Sequence, residues 1–142
     1  MKVADVMTAQ VVTATPRSTI AEVARTMAQI ETGAVPVTDD GKVVGLITDR
    51  DIVLRAVAEG LPLSTPVSEV MTEDVETCRE DDSVADAAGK MGGKQIRRLV
   101  VLNDGGRLAG ILSLGDVAQE YGAKQVGRTL EEISESPAAA QS

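Results

Sequence analysis

The sequence is 142 residues long, with 14 Lys plus Arg against 22 Asp plus Glu, no His, one Cys, one Tyr and neither Phe nor Trp. A net charge of −8 repels nucleic-acid backbones and anionic membrane surfaces, and the dearth of aromatics removes the stacking platforms of single-strand binders. Without His, and with Cys78 alone, Ser-His-Asp and Cys-His catalysis, the commonest metal ligand and any internal disulfide are excluded.

The chain opens MKVADVMT, which holds no apolar run long enough for a signal peptide or a membrane span, so a cytoplasmic protein is expected. Val3–Thr8 reads VADVMT and Val67–Thr72 reads VSEVMT, 64 positions apart. In that register Val11 matches Val75, Thr13 matches Thr77, Ala24 matches Ala88, and Asp40-Gly41 matches Asp104-Gly105. After Gly106 the offset becomes 65, and Gly45-Leu46-Ile47-Thr48 matches Gly110-Ile111-Leu112-Ser113. The chain is therefore a duplicated unit, expected at 1–64 (with a linker at 60–66) and 65–122. Units this small each leave much surface unburied, so a shared core is expected.

Each unit reads βαββα, an α/β (α+β) pattern. A short apolar strand near Val11–Thr13 precedes Thr19-Ile20-Ala21-Glu22, a capping box opening a helix. Ile20, Val23, Ala24, Met27 and Ile30 recur at helical spacing as one buried stripe, and Gly33 supplies the expected stop. Ala34–Thr38 and Val43–Ile47 form a hairpin across Asp39-Asp40-Gly41-Lys42, and a helix runs from about Arg50 to Glu59 before Gly60. The second copy repeats this, with Ser83 and Asp86 capping a helix that carries Gly89, Gly92 and Gly93. Arg98–Leu102 and Leu108–Leu112 form its hairpin, and Asp116–Tyr121 its last helix. Spacing of Val126, Leu130 and Ile133 predicts a short helix at 123–133, and composition predicts a disordered tail at 134–142.

The informative constellation is a glycine, two apolar residues, a hydroxyl, two variable residues and an Asp, present as Gly45–Asp51 and Gly110–Asp116. A glycine lets a neighbour or a ligand approach a strand closely, and the hydroxyl sits where strand passes to helix, beside free N–H groups that suit a phosphate. The Asp three residues on suits ribose hydroxyls. Thr48 with Asp51 and Ser113 with Asp116 are equally plain capping boxes, an alternative that accounts for the hydroxyl and the Asp but does not require the preceding glycine and two apolar residues in both copies. Arg50 lies in the first turn after Thr48, where it either clamps a phosphate or pairs with an acid such as Asp49. Of Arg97 and Arg98, which point to opposite faces of a strand, one reaches a phosphate or both are solvated edge charges. Met7 and Met71 read as core gap-fillers, and Cys78 as a small residue without catalytic duty.

These segments, with TGAVPVTDDGKVVGLITDRDIV and IRRLVVLNDGGRLAGILSLGDV, give the sequence from Val3 to about Gly122 a close resemblance to a tandem pair of CBS domains, the Bateman module named after cystathionine β-synthase. The resemblance implies a pseudo-twofold pair whose clefts between the units bind AMP, ADP, ATP, NAD, S-adenosylmethionine or a related adenosine ligand. Carried onto this chain, it implies that Thr48 and Ser113 contact phosphate and that Asp51 and Asp116 hold ribose hydroxyls. Backbone at Thr13-Ala14 and Ala34-Val35-Pro36 would line one adenine slot, and Thr77-Cys78 with Arg98-Leu99-Val100 the other. Val100 in place of Pro36, and Leu114-Gly115 in place of Asp49-Arg50, depart from the first copy and point to a looser second cleft.

The expected function is a non-catalytic regulatory sensor, without a catalytic cofactor, acting as a homodimer of CBS pairs and through an effector protein, since no effector domain is apparent. The alternative is a structural or protein-interaction module with unoccupied clefts, against which Gly33-Ala34 and Gly45 argue in the first copy and for which Arg98 argues in the second. An enzyme is the weakest reading, because no paired catalytic constellation is present.

Overall fold

The structure is a computed structural model that describes residues 1–121; the helix expected at 123–133 and the tail at 134–142 lie outside the described residues. Among the described residues it is a mixed α/β chain with two sheets, and its contacts divide it into two compact units, 11–75 and 1–10 with 76 onward. These units do not follow the sequence repeat. Each takes its VMT segment from the other end of the repeat.

In the unit formed by 11–75, α2 (Ile20–Ile30) follows a capping box in which the Glu22 N–H donates to Thr19 Oγ1 at 3.1 Å and the Thr19 N–H to Glu22 Oε1 at 3.4 Å. The helix stops at Glu31, whose φ of 54° is left-handed, two residues before the expected Gly33. Ile20, Val23 and Met27 are buried, but Ile30 is exposed and falls off the predicted stripe. β1 (Ala34–Asp39) and β2 (Lys42–Thr48) pair antiparallel across a turn in which Asp40 and Gly41 both have positive φ, the conformation that Asp-Gly favours. A short α3 (Asp49–Asp51) then widens into a π-helical turn, Ile52–Val57, so the helix expected from Arg50 is interrupted rather than regular.

The linker folds back over the start of α2, where the Ile20 N–H donates to the Thr65 carbonyl and the Val67 N–H to that of Ser18. Thr72 and Leu46 exchange two 2.9 Å backbone hydrogen bonds, which lay the second VMT segment on β2. Ile20, Val23, Val35, Val37, Ile47, Val67 and Val70 close the core.

In the other unit β3 (Thr77–Arg79) pairs parallel with β4 (Arg98–Leu102), which pairs antiparallel with β5 (Leu108–Ser113). α4 (Val84–Lys94) and α5 (Leu114–Tyr121) complete it, and the α4 glycines do not break that helix. The first VMT segment, led in by α1 (Val3–Val6), docks here: Val3 N–H donates to Asp82, Ala4 N–H to Glu80, and Thr8 and Ile111 exchange two bonds of 2.9 and 3.0 Å. Val3, Val84, Ala88, Met91, Leu99, Val101, Leu112 and Val117 fill the core.

The strand expected near Val11–Thr13 is reduced to a single bridge, Ala14 to Val37. Its counterpart β3 is longer for a covalent reason. Val100 N–H donates to the Glu76 carbonyl at 3.1 Å, whereas Pro36, at the equivalent position, has no N–H to offer Val12.

Candidate functional site

Alternation along the hairpins assigns the candidate residues to faces. Val35, Val37 and Ile47 point into one core and Leu99, Val101 and Leu112 into the other, so of Val35 and Leu99 only the backbone is left for the candidate slots. Ala34 and Pro36 stand opposite Thr48 and Leu46, and Arg98 and Val100 opposite Ser113 and Ile111. These residues share the sheet face turned away from their own unit's core.

At the end of each hairpin the two boxes are closed reciprocally. Asp51 N–H donates to Thr48 Oγ1 at 3.1 Å, and Thr48 N–H to Asp51 Oδ2 at 3.0 Å. Asp116 N–H donates to Ser113 Oγ, and Ser113 N–H to Asp116 Oδ2, both at 3.0 Å. The capping reading is thus real in both copies, and Thr48 and Asp51 are committed to it through one oxygen each. What remains is a hydroxyl proton and a second carboxylate oxygen at each site.

Those remainders differ between the copies. Asp51, only 8% exposed, has Oδ1 3.9 Å from Arg55 Nε, and Arg55 Nη1 also donates to the carbonyls of Val70 and Met71 at 3.3 and 3.4 Å. Glu120 occupies the place of Arg55 in the second copy, so among the described residues Asp116 has no such cation on its helix. Arg50 and Arg98 are half-buried, and neither guanidinium has an ion-pair or hydrogen-bond partner among the described residues, so the acid partner considered for Arg50 is not found. Arg97 is exposed.

The repeated glycine has an occupant that sequence reasoning did not identify. A Cβ on Gly45 would lie 2.5 Å from Met71 Sδ, and one on Gly110 would lie 2.5 Å from the Thr8 carbonyl and 2.9 Å from Met7 Sδ. Each VMT methionine therefore lies against the glycine of its structural unit. The signal was present in the joint repetition of Met and Gly, although their pairing across repeats was not.

In the slot regions, Ala14 is buried, its N–H donating to the Pro36 carbonyl and its own carbonyl accepting from Thr38. Thr13 is exposed. Cys78 takes the place of Ala14, and burial, with Asp82 adding to it and Lys90 opposing, pushes its thiol up to about 11. It is protonated at neutral pH and a poor nucleophile. The described residues contain no group of three or more His, Cys, Asp or Glu suited to a metal, and no helix long and apolar enough to cross a membrane.

The CBS domain family model matches residues 3–57 and 67–123. The CBS domain-containing protein YhcV of Bacillus subtilis is 43% identical over 133 residues, covering 93% of this chain and 94% of that one. Among solved structures, the CBS domain pair of protein MJ0100, in complex with 5′-methylthioadenosine and S-adenosyl-L-methionine, is 31% identical with a TM-score of 0.77, over 87% of this chain and 98% of that one. Protein MJ1225 of Methanocaldococcus jannaschii, a proposed archaeal homologue of g-AMPK, is 26% identical with a TM-score of 0.75, over 84% of this chain and 49% of that one.

Proposed function

The chain belongs to the CBS domain family as a tandem pair of CBS domains, a regulatory module, and from that premise we propose that it senses an adenosine-type nucleotide. The ligand class is AMP, ADP or ATP, with NAD and S-adenosylmethionine as relatives that share the adenosine. The observation that carries this reading is the pair of strand-to-helix junctions, each holding a hydroxyl proton and a carboxylate oxygen outside the capping box, with a guanidinium that has no partner among the described residues: Arg50 near Thr48, and Arg98 across from Ser113.

The chemistry follows from those groups. The hydroxyl donates to a phosphoryl oxygen, the guanidinium supplies its counter-charge, and the Asp oxygen outside the capping box accepts from ribose hydroxyls. Backbone at Thr13-Ala14 with 34–36, and at Thr77-Cys78 with 98–100, receives the base. Methylthioadenosine and S-adenosylmethionine on the MJ0100 pair support the nucleoside part of the reading. No bond is broken in this scheme; output arises because the ligand stabilises one conformation over another.

Thermal unfolding with each nucleotide at millimolar concentration tests the proposal, comparing the parent with Thr48→Ala/Asp51→Ala and Ser113→Ala/Asp116→Ala. Ligand at about 100 times its Kd stabilises by roughly 2.7 kcal/mol, a shift on the order of 5 to 10 °C for this size. Both variants start at lower Tm because they lose a cap, so the ligand-induced shift is the readout. A shift that persists in both double variants would remove these residues from the site.

The same reading includes a homodimer. Val53, Leu54 and Val57 are 55%, 47% and 61% exposed on one helical run, while Ala118 and Gln119 stand in the places of Val53 and Leu54. An apolar face confined to one copy suits a contact with a second chain. Leu54→Gln, which imports the second copy's residue, is expected to shift sedimentation equilibrium toward monomer; an unchanged mass distribution would count against this face.

A further inference from the structure

In the nucleotide reading above, the base lies against Thr13-Ala14 in one copy and Thr77-Cys78 in the other, so what those strand edges offer bears on base selection. β3 is the edge strand of its sheet and bonds only to β4. The Glu76 carbonyl accepts from Val100 N–H, and alternation along the strand turns the next carbonyl, that of Thr77, to the open side. There it is already taken: the Lys90 ammonium, reaching across from α4, donates to it. Glu76 holds that ammonium in place from 3.8 Å, and also lies 3.8 Å from Lys94 one turn further along the helix.

The first copy is built differently at the same two positions. Thr26 stands in the place of Lys90, and its hydroxyl donates to the Glu22 carbonyl of its own helix at 3.1 Å. The Thr13 carbonyl, equivalent to that of Thr77, accepts no hydrogen bond from any described residue. One edge thus presents a bare acceptor, and the other a cationic donor fixed on that acceptor.

Adenine and hypoxanthine differ at one substituent, an amine that donates and an oxo group that accepts. Backbone recognition of the adenine amine requires an open carbonyl, which the first slot has. In the second slot an amine meets an ammonium, donor against donor, and leaves its hydrogen bonds unmade, while an oxo group accepts from the ammonium's remaining N–H. Sites that present a fixed partner discriminate against ligands lacking the complement far better than apolar pockets do.

We infer that Lys90 is the specificity-determining residue of the second slot, turning it from adenine toward a 6-oxopurine nucleotide, so that the two copies take different bases. This rests on the nucleotide-site reading above. The contrast of Lys90 and Thr26 sets the selectivity; Glu76 is a positioning residue that aims Lys90.

The test isolates the second slot with Thr48→Ala/Asp51→Ala and measures Kd for AMP and IMP by calorimetry. IMP is expected to bind at least ten-fold more tightly. Adding Lys90→Thr, the first copy's residue, is expected to reverse the order, and Lys90→Arg to preserve it. If Lys90→Thr does not fold, Lys90→Met keeps the apolar stem without the donor and gives the same readout. AMP binding as well as or better than IMP, or a ratio that Lys90→Thr leaves unchanged, overturns the inference while the nucleotide reading stands. Binding of neither nucleotide, here and in the parent chain, overturns both.

Discussion

Residues 34–57 and 98–121 descend from one pattern, and the structure separates what duplication preserved from what it relaxed. Both copies keep the hairpin, the reciprocal box at its end and a glycine covered by methionine. They differ at the leading strand, where Pro36 withholds an N–H that Val100 supplies, and beside the Asp, where Arg55 stands in one copy and Glu120 in the other. The preserved features satisfy backbone and packing, and the altered ones change what the edges of the candidate sites offer. Divergence at the edges with constancy beneath is what the proposal of two unlike sites on one scaffold requires.

The glycines give the largest expected effect and the sharpest test of that constancy. At Gly110 an added Cβ meets the Thr8 carbonyl, which is backbone and itself held to Ile111, so Gly110→Ala is expected to cost about 3 kcal/mol. At Gly45 it meets only the flexible end of Met71, and Gly45→Ala is expected to cost about 1 kcal/mol. Urea midpoints for the two variants check the order; equal losses would show that the Met contacts, not the Thr8 backbone, set the requirement.

Cys78 against Ala14 offers the next effect. A thiol whose ionisation is raised to about 11 by burial stays neutral in the folded state while the unfolded thiol ionises near its ordinary value. Stability is therefore fully present below pH 9 and lost as pH rises through about 11, by roughly 2 to 3 kcal/mol in all. Cys78→Ala should flatten this segment of the pH–stability curve, whatever it does at pH 7. A parent and variant falling in parallel above pH 9 would assign the alkaline loss to other groups.

Gly89 and Gly93 distinguish α4 from α2, and nothing lies within 4 Å of a Cβ placed on either. Gly89→Ala and Gly93→Ala should each stabilise by up to about 1 kcal/mol, because only the helical entropy cost is removed. A loss of stability at either site, read from thermal unfolding, would reveal a contact at that face.

Arg55 yields the smallest change. Its side chain is 55% exposed and its bonds to Val70 and Met71 are long, so Arg55→Ala is expected to cost no more than about 1 kcal/mol. A larger loss would mark Arg55 as a structural clamp between Asp51 and the second VMT segment.

Much of this was legible in the chain itself. Hairpin turn chemistry, the Thr19–Glu22 box and the Gly-x-x-Thr/Ser-x-x-Asp repeat act over a few residues, so their geometry follows from local sequence. Where distant segments compete, local reading failed: Ile30 lies outside the core stripe, the helix stops at Glu31 rather than Gly33, and the leading strand of the first copy shrinks to one bridge. The Lys90 contact with Thr77 joins residues that no short motif connects.

Sequence alone determined the duplicated α/β units, the absence of histidine chemistry and the positions of the two boxes, because patterning, composition and capping are properties of neighbouring residues. Only the tertiary structure decided which VMT segment covers which glycine. VADVMT and VSEVMT have the same apolar face and the same methionine, so either fits either hairpin by composition. The chain's path resolves it: 1–10 docks on the unit that begins at 76, and the unit of 11–75 keeps the second segment, each through a paired backbone bridge that no local propensity encodes.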